Sequence, residues 1–139
     1  MKAPPPRYIT GTAIATLAQA FGYPNHPHMQ DWEYEVSSFA DLEKYMAAYV
    51  STADDDIRFL LMEMILETSN NKDRDFDWIA AIWPRVKALL TACFPLHAPT
   101  VYYWSCFDVE DIADTFYISA AMRELWLEQT DHAAQSNPQ

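Results

Sequence analysis

The sequence predicts a mainly α protein: a compact bundle or short stack of about five or six helices joined by short loops, with room for one short strand pair. Three observations lead there. Only two glycines occur in 139 residues, Gly11 and Gly22, whereas all-β folds need many tight turns with positive φ. Apolar residues recur at helical spacing along most of the chain. Hydrophobic residues make up 50% of it and charged residues 21%, enough to fill a core and too apolar for disorder.

Residues 1–9 read as a proline-stiffened arm. A single helical domain is expected over 10–129. Its first helix is Thr12–Phe21, with Ile14, Leu17, Ala18 and Phe21 on one stripe, Thr10 or Thr12 as cap, and Gly22 just past the end. Pro24 and Pro27 make 23–31 a loop. Residues 32–36, WEYEV, alternate apolar and polar, as a short strand or extended stretch does. Ser38 starts a helix with Phe39, Leu42, Tyr45, Met46, Tyr49 and Val50 on its stripe, and Ser38 with Asp41 has capping-box spacing. Thr52 and Asp55 repeat that spacing. From Ile57 to Leu66 only Arg58 and Glu63 are polar, the mark of a central, buried helix. Residues 69–75 are a polar connection.

The pattern from Trp78 to Cys93 is helical, with Pro84 either kinking one helix or starting a second. Pro95 and Pro99 are expected to break the chain. Residues 100–107 have high β propensity but no partner strand, so helix is preferred. Asp108–Phe116 reads as a short amphipathic turn or helix using Val109, Ile112 and Phe116. Ser119 caps a last helix with Met122, Leu125 and Trp126 inward. A disordered tail is expected over 130–139.

The net charge of −11 is unevenly placed. Residues 1–30 hold two bases and no acid; residues 57–107 balance. Residues 31–56 hold eight acids against Lys44, and residues 108–131 hold seven against Arg123. This disfavours nucleic acid and anionic membranes, which need positive patches. No stretch is long and apolar enough to span a bilayer. Met1–Arg7 lacks the apolar region of a secretory signal, so a cytoplasmic protein with reduced Cys93 and Cys106 is expected.

The chemistry-bearing residues form no catalytic constellation. His26, His28 and Asp31 could begin a zinc or iron site, but a further ligand would have to come from His97 or remote acids. Cys93 and His97 are four apart, yet Pro95 lies between them and Cys93 continues an apolar stripe. Acids at helix starts are explained by capping. No phosphate loop, nucleophile elbow or metalloprotease motif occurs. No catalytic residue, metal or cofactor is expected.

The aromatic run Tyr102, Tyr103 and Trp104 cannot all face inward from one helix, because successive side chains point about 100° apart. At least one should reach a surface just before the acids at Asp108. Tyr and Trp with flanking carboxylates suit a basic protein partner.

Three segments, QDWEYEV (30–36), TVYYWSCFD (100–108) and ISAAMRELW (118–126), resemble small acidic bacterial immunity proteins encoded beside the secreted toxins of polymorphic-toxin and type VI secretion systems. The likeness spans roughly residues 12–126 and brings no site residues with it. It implies a protein that is not an enzyme, binds a cognate toxin and occludes a basic active-site cleft. Tyr103, Trp104, Asp108, Glu110, Asp111 and Asp114 are the expected contacts, with Asp31, Glu33 and Glu35 as a second group. An adaptor or effector chaperone would use the same acidic surface. A small hydrolase would use a carboxylate pair or the His26/His28/Asp31 loop as a metal site.

Overall fold

The computed structural model describes residues 2–70 and 76–135. Among them eight α-helices form and no strand occurs. The mainly α expectation holds; the count exceeds five or six because 32–36 adds a helix and the 78–93 pattern divides. No helix among the described residues is long and apolar enough to cross a membrane. The chain divides into two compact units, Arg7–Lys72 and Asp73–Gln139 with Met1–Pro6.

The first unit is organised on one apolar helix. α1 (Gly11–Phe21) is capped by Thr10, whose hydroxyl accepts the Ala13 N–H, and ends at Gly22 with φ +70°, a conformation glycine adopts without Cβ strain. α2 (Trp32–Val36) replaces the expected strand. Buried Trp32 donates its indole N–H to the Pro24 carbonyl at 2.8 Å, and left-handed Asp31 turns the chain into the helix. A 3-10 turn over Phe39–Asp41 then leads into α3 (Leu42–Ser51). The helix therefore starts later than Ser38, and Val50 faces solvent instead of joining the buried stripe of Leu42, Tyr45, Met46 and Tyr49.

α4 (Asp55–Glu67) buries Phe59, Leu60, Leu61, Met62, Met64, Ile65 and Leu66. α1, α2 and α3 all pack on it, which is why its apolar side chains surround it. Its cap is Asp54, which accepts the Ile57 N–H, and not Thr52. The Arg7 guanidinium bonds Asp56 at 2.7 Å and lies over the Phe59 ring. Thr68–Asn70 continue as a 3-10 turn with Thr68 and Ser69 buried, so the polar connection starts inside the fold; residues 71–75 of it lie outside the described residues.

In the second unit α5 (Trp78–Ala81) and α6 (Trp83–Ala92) meet at Ile82. Pro84 thus starts a helix, where its missing N–H is one of the first-turn groups that has no helical partner anyway. α7 (Phe94–Ser105) contradicts the expected break at Pro95 and Pro99. Pro95 is harmless in the first turn. Pro99 removes one helical hydrogen bond, and burial of His97, Thr100, Val101, Trp104 and Ser105 on the same helix offsets it. The preference for helix over 100–107 holds as far as Ser105.

After a 3-10 turn at Ile112–Asp114 comes α8 (Ser119–Gln135), packed along α7 with Met122, Leu125 and Trp126 buried as expected. Lys87 on α6 pairs with Glu128 on α8 at 3.2 Å. α8 continues past Thr130, where the tail was expected; residues 136–139 lie outside the described residues.

Candidate protein-binding surface

α7 ends where Cys106 enters the left-handed region at φ +52°. The chain then crosses to α8 through residues 107–118, and three fasteners shape that crossing. The Arg123 guanidinium on α8 donates to the carbonyls of Ser105 (2.7 Å), Cys106 (2.6 Å) and Val109 (3.1 Å) and lies over the Phe107 ring. A cation at a helix C-terminus also meets the negative end of the macrodipole. The buried Ser119 hydroxyl donates to the Trp104 carbonyl at 2.7 Å and accepts the Phe116 N–H at 3.0 Å. The Tyr117 hydroxyl donates to Asp77 at 3.2 Å, and Asp77 also caps α5.

This crossing exposes Tyr117 at 51% and Ile112 at 44%, and the last turn of α7 exposes Tyr103 at 63%. The half-buried Phe116 has its ring centroid 4.6 Å from Trp104 and 6.0 Å from Tyr103. Asp108, Glu110, Asp111 and Asp114 are exposed on the same segment. Asp111 accepts the Ala113 N–H as the cap of the 3-10 turn.

Five of the six residues first expected on this surface are there. The sixth is not: Trp104 is only 2% exposed and packs into the core against Phe116. Tyr103, one position earlier, is exposed, although its ring still lies 6.1 Å from that of Trp104. Ile112, expected inward, faces out because a 3-10 turn and not an α-turn carries it. Tyr117 and Ile112 were therefore missed, though Tyr117 directly follows the aromatic Phe116 within reach of the acids. Arg123 stood out in sequence as the sole base of its block, but nothing there gave it a role.

The second expected group lies on the other unit. Asp31 stands at the N-cap position of α2 without a side-chain bond to the helix, Glu35 is exposed and Glu33 is half-buried. Burial raises the Glu33 carboxyl above its ordinary value of 4.5, and the charge of Asp31 adds to that. Glu67 at the end of α4 is raised by burial too, with the Glu33 and Asp31 charges adding while a hydrogen bond from Asn70 opposes. Exposed Tyr34 sits between Glu33 and Glu35.

His26 and His28 are exposed, and the described residues contain no group of three or more His, Cys, Asp or Glu able to hold a metal ion. Cys93 precedes α7, its carbonyl accepting the His97 N–H at 3.2 Å, and His97 is fully buried. The helix runs through Pro95, and the bond that joins Cys93 and His97 is between their backbones.

No family model, curated protein or solved structure matches this chain. The acidic–aromatic surface is thus read from its own residues. Tyr103, Ile112 and Tyr117 are exposed at the end of α7 and on the segment that carries four exposed carboxylates.

Proposed function

We propose that this chain is an immunity protein that binds a cognate secreted toxin and covers its basic active-site cleft with the 103–117 surface. One observation carries the reading. Tyr103, Ile112 and Tyr117 are exposed on and just before the segment that carries four exposed carboxylates, while Arg123, the sole base of residues 108–131, is turned onto backbone carbonyls. Acids that serve solubility alone do not need exposed aromatics beside them. Opposite charge would speed encounter with a cationic cleft and compete with an anionic substrate, and the aromatics would supply the anchor.

The test is co-purification with the toxin encoded beside this chain, followed by Asp108→Lys, Glu110→Lys and Asp114→Lys together. Affinity should fall by about tenfold or more, the salt dependence should flatten, and toxin activity should return. A complex with unchanged affinity and unchanged salt dependence would place the interface elsewhere. Toxin activity undiminished in an intact complex would instead favour an adaptor or chaperone.

A further inference from the structure

Arg123 is surrounded in sequence by acids, yet among the described residues it forms no ion pair with any of them. Its guanidinium instead joins three carbonyls, of Ser105, Cys106 and Val109, and covers the Phe107 ring. Those carbonyls lie on both sides of the left-handed turn at Cys106. One planar fork therefore ties the end of α7 to the start of the acidic loop. A lysine could not replace it, having a single nitrogen and no flat face to stack.

We propose that Arg123 is the positioning residue of the acidic–aromatic surface. It holds residues 106–117 in the arrangement that shows Tyr103, Ile112 and Tyr117 to solvent beside the four carboxylates. Its donors are directed at carbonyls and not at the carboxylates, which stay available to a cationic protein partner. The binding half of this inference rests on the proposed function; the ordering half does not. A loop held in its bound shape loses less conformational freedom on association, which raises affinity without any new contact.

The sign of the effect separates positioning from charge. Removing Arg123 makes the surface more acidic. If Arg123 acted through charge alone, Arg123→Gln would bind a basic partner more tightly. If it positions the loop, Arg123→Gln binds more weakly despite the gain in opposite charge, and Arg123→Lys fails to restore it.

The experiment uses the full chain with Arg123→Gln, Arg123→Lys and, as a milder change that keeps the guanidinium, Phe107→Ala. Amide hydrogen exchange is followed for 106–117 and for α8. The amides of Val109, Asp114, Thr115 and Phe116 are hydrogen-bonded in the folded loop, so they have protection to lose. The expected result is exchange faster by about tenfold or more over 106–117 in the Arg123 variants, less in Phe107→Ala, with α8 unchanged. Affinity for the co-purified toxin falls in both Arg123 variants, while retention on an anion exchanger rises for Arg123→Gln. Unchanged loop exchange, equal acceleration throughout α8, or full recovery in Arg123→Lys each overturns the proposal. Should the Arg123 variants not fold, unaltered loop exchange in Phe107→Ala overturns it. If the wild-type chain binds no toxin, the proposed function fails and loop exchange alone decides the role of Arg123.

Discussion

The backbone N–H of Ser38 donates to the Tyr45 hydroxyl at 3.0 Å. In a capping box that N–H would go to the side chain three residues on, which here is Asp41. Asp41 is engaged elsewhere: it accepts from the Tyr23 hydroxyl. The two phenols also bond each other. Since each hydroxyl has one proton and Tyr23 gives its own to Asp41, Tyr45 donates to Tyr23. A single ordered chain runs from Ser38 through Tyr45 and Tyr23 to Asp41. Burial, and then the bond to Asp41, push the Tyr23 phenol well above its ordinary value, so it stays a donor throughout the usual pH range.

Tyr45→Phe should be costly for its size. Tyr45 is fully buried, and the change leaves the Ser38 N–H and the Tyr23 hydroxyl each short of a partner. A loss of about 1–3 kcal/mol is expected, read as a lower urea midpoint by circular dichroism. Ser38→Ala removes only the 3.3 Å bond to the Ala40 N–H and should cost about 1 kcal/mol or less. Equal effects of the two would show that the phenol chain adds nothing.

The start of α4 gives a second comparison. Asp54 accepts the Ile57 N–H at 3.1 Å, while Thr52 accepts only the Asp54 N–H at 3.2 Å. Asp54→Ala should destabilise by about 1 kcal/mol, as the loss of a helix cap does, and Thr52→Ala by clearly less. Thermal unfolding of both variants decides between them; the reverse order would restore Thr52 as the cap.

These two starts also show what the sequence made legible. Spacing located α1 and α8, because each buries a periodic stripe, and α4 was legible as a run that is apolar nearly all round. Spacing failed where a distant contact decides the local shape. WEYEV alternates like a strand, but the Trp32 bond to Pro24 and the left-handed Asp31 wind it into a helix. Pro99 looks like a breaker until the burial of its neighbours is known. At the candidate surface the acids and Tyr103 were legible from composition and from the angle between successive helical side chains. The inward turn of Trp104 was not, because a helix pattern says that one aromatic must face out and not which. Arg123 binds carbonyls about 14–18 residues away in sequence, beyond any local pattern.

That angle makes Tyr103 and Trp104 a pair of opposites. Trp104→Ala should cost about 3–5 kcal/mol, since it empties a core site. Tyr103→Ala, at a residue 63% exposed, should change stability by no more than about 0.5 kcal/mol yet weaken partner binding. Chemical denaturation and titration calorimetry on the same two variants separate the roles. A Tyr103→Ala chain that binds as well as the wild type would remove Tyr103 from the surface.

The acids of the first unit predict an unusual pH dependence. Glu33 and Glu67 are both raised above 4.5, chiefly by burial; the charge of Asp31 adds at Glu33, and the charges of Glu33 and Asp31 add at Glu67. A carboxyl raised in the folded state favours the neutral form, so its contribution to stability is complete below 4.5 and is lost as pH rises through the folded value. In their charged form both oppose the packing of α2 on α4. Glu67→Gln keeps the shape and removes the charge. It should raise the melting temperature at pH 7 and lose that advantage on acidification towards 4.5, and Glu33→Gln should do the same. Solvent reaching these half-buried groups keeps both effects small. The double variant should gain less than the sum of the two, because the first substitution already relieves the repulsion acting on the second. Melting temperatures of the four chains across that pH range test this directly: a Glu67→Gln chain less stable than the wild type at pH 7 would mean that its carboxylate is held by a favourable partner, and full additivity would mean that Glu33 and Glu67 do not sense each other.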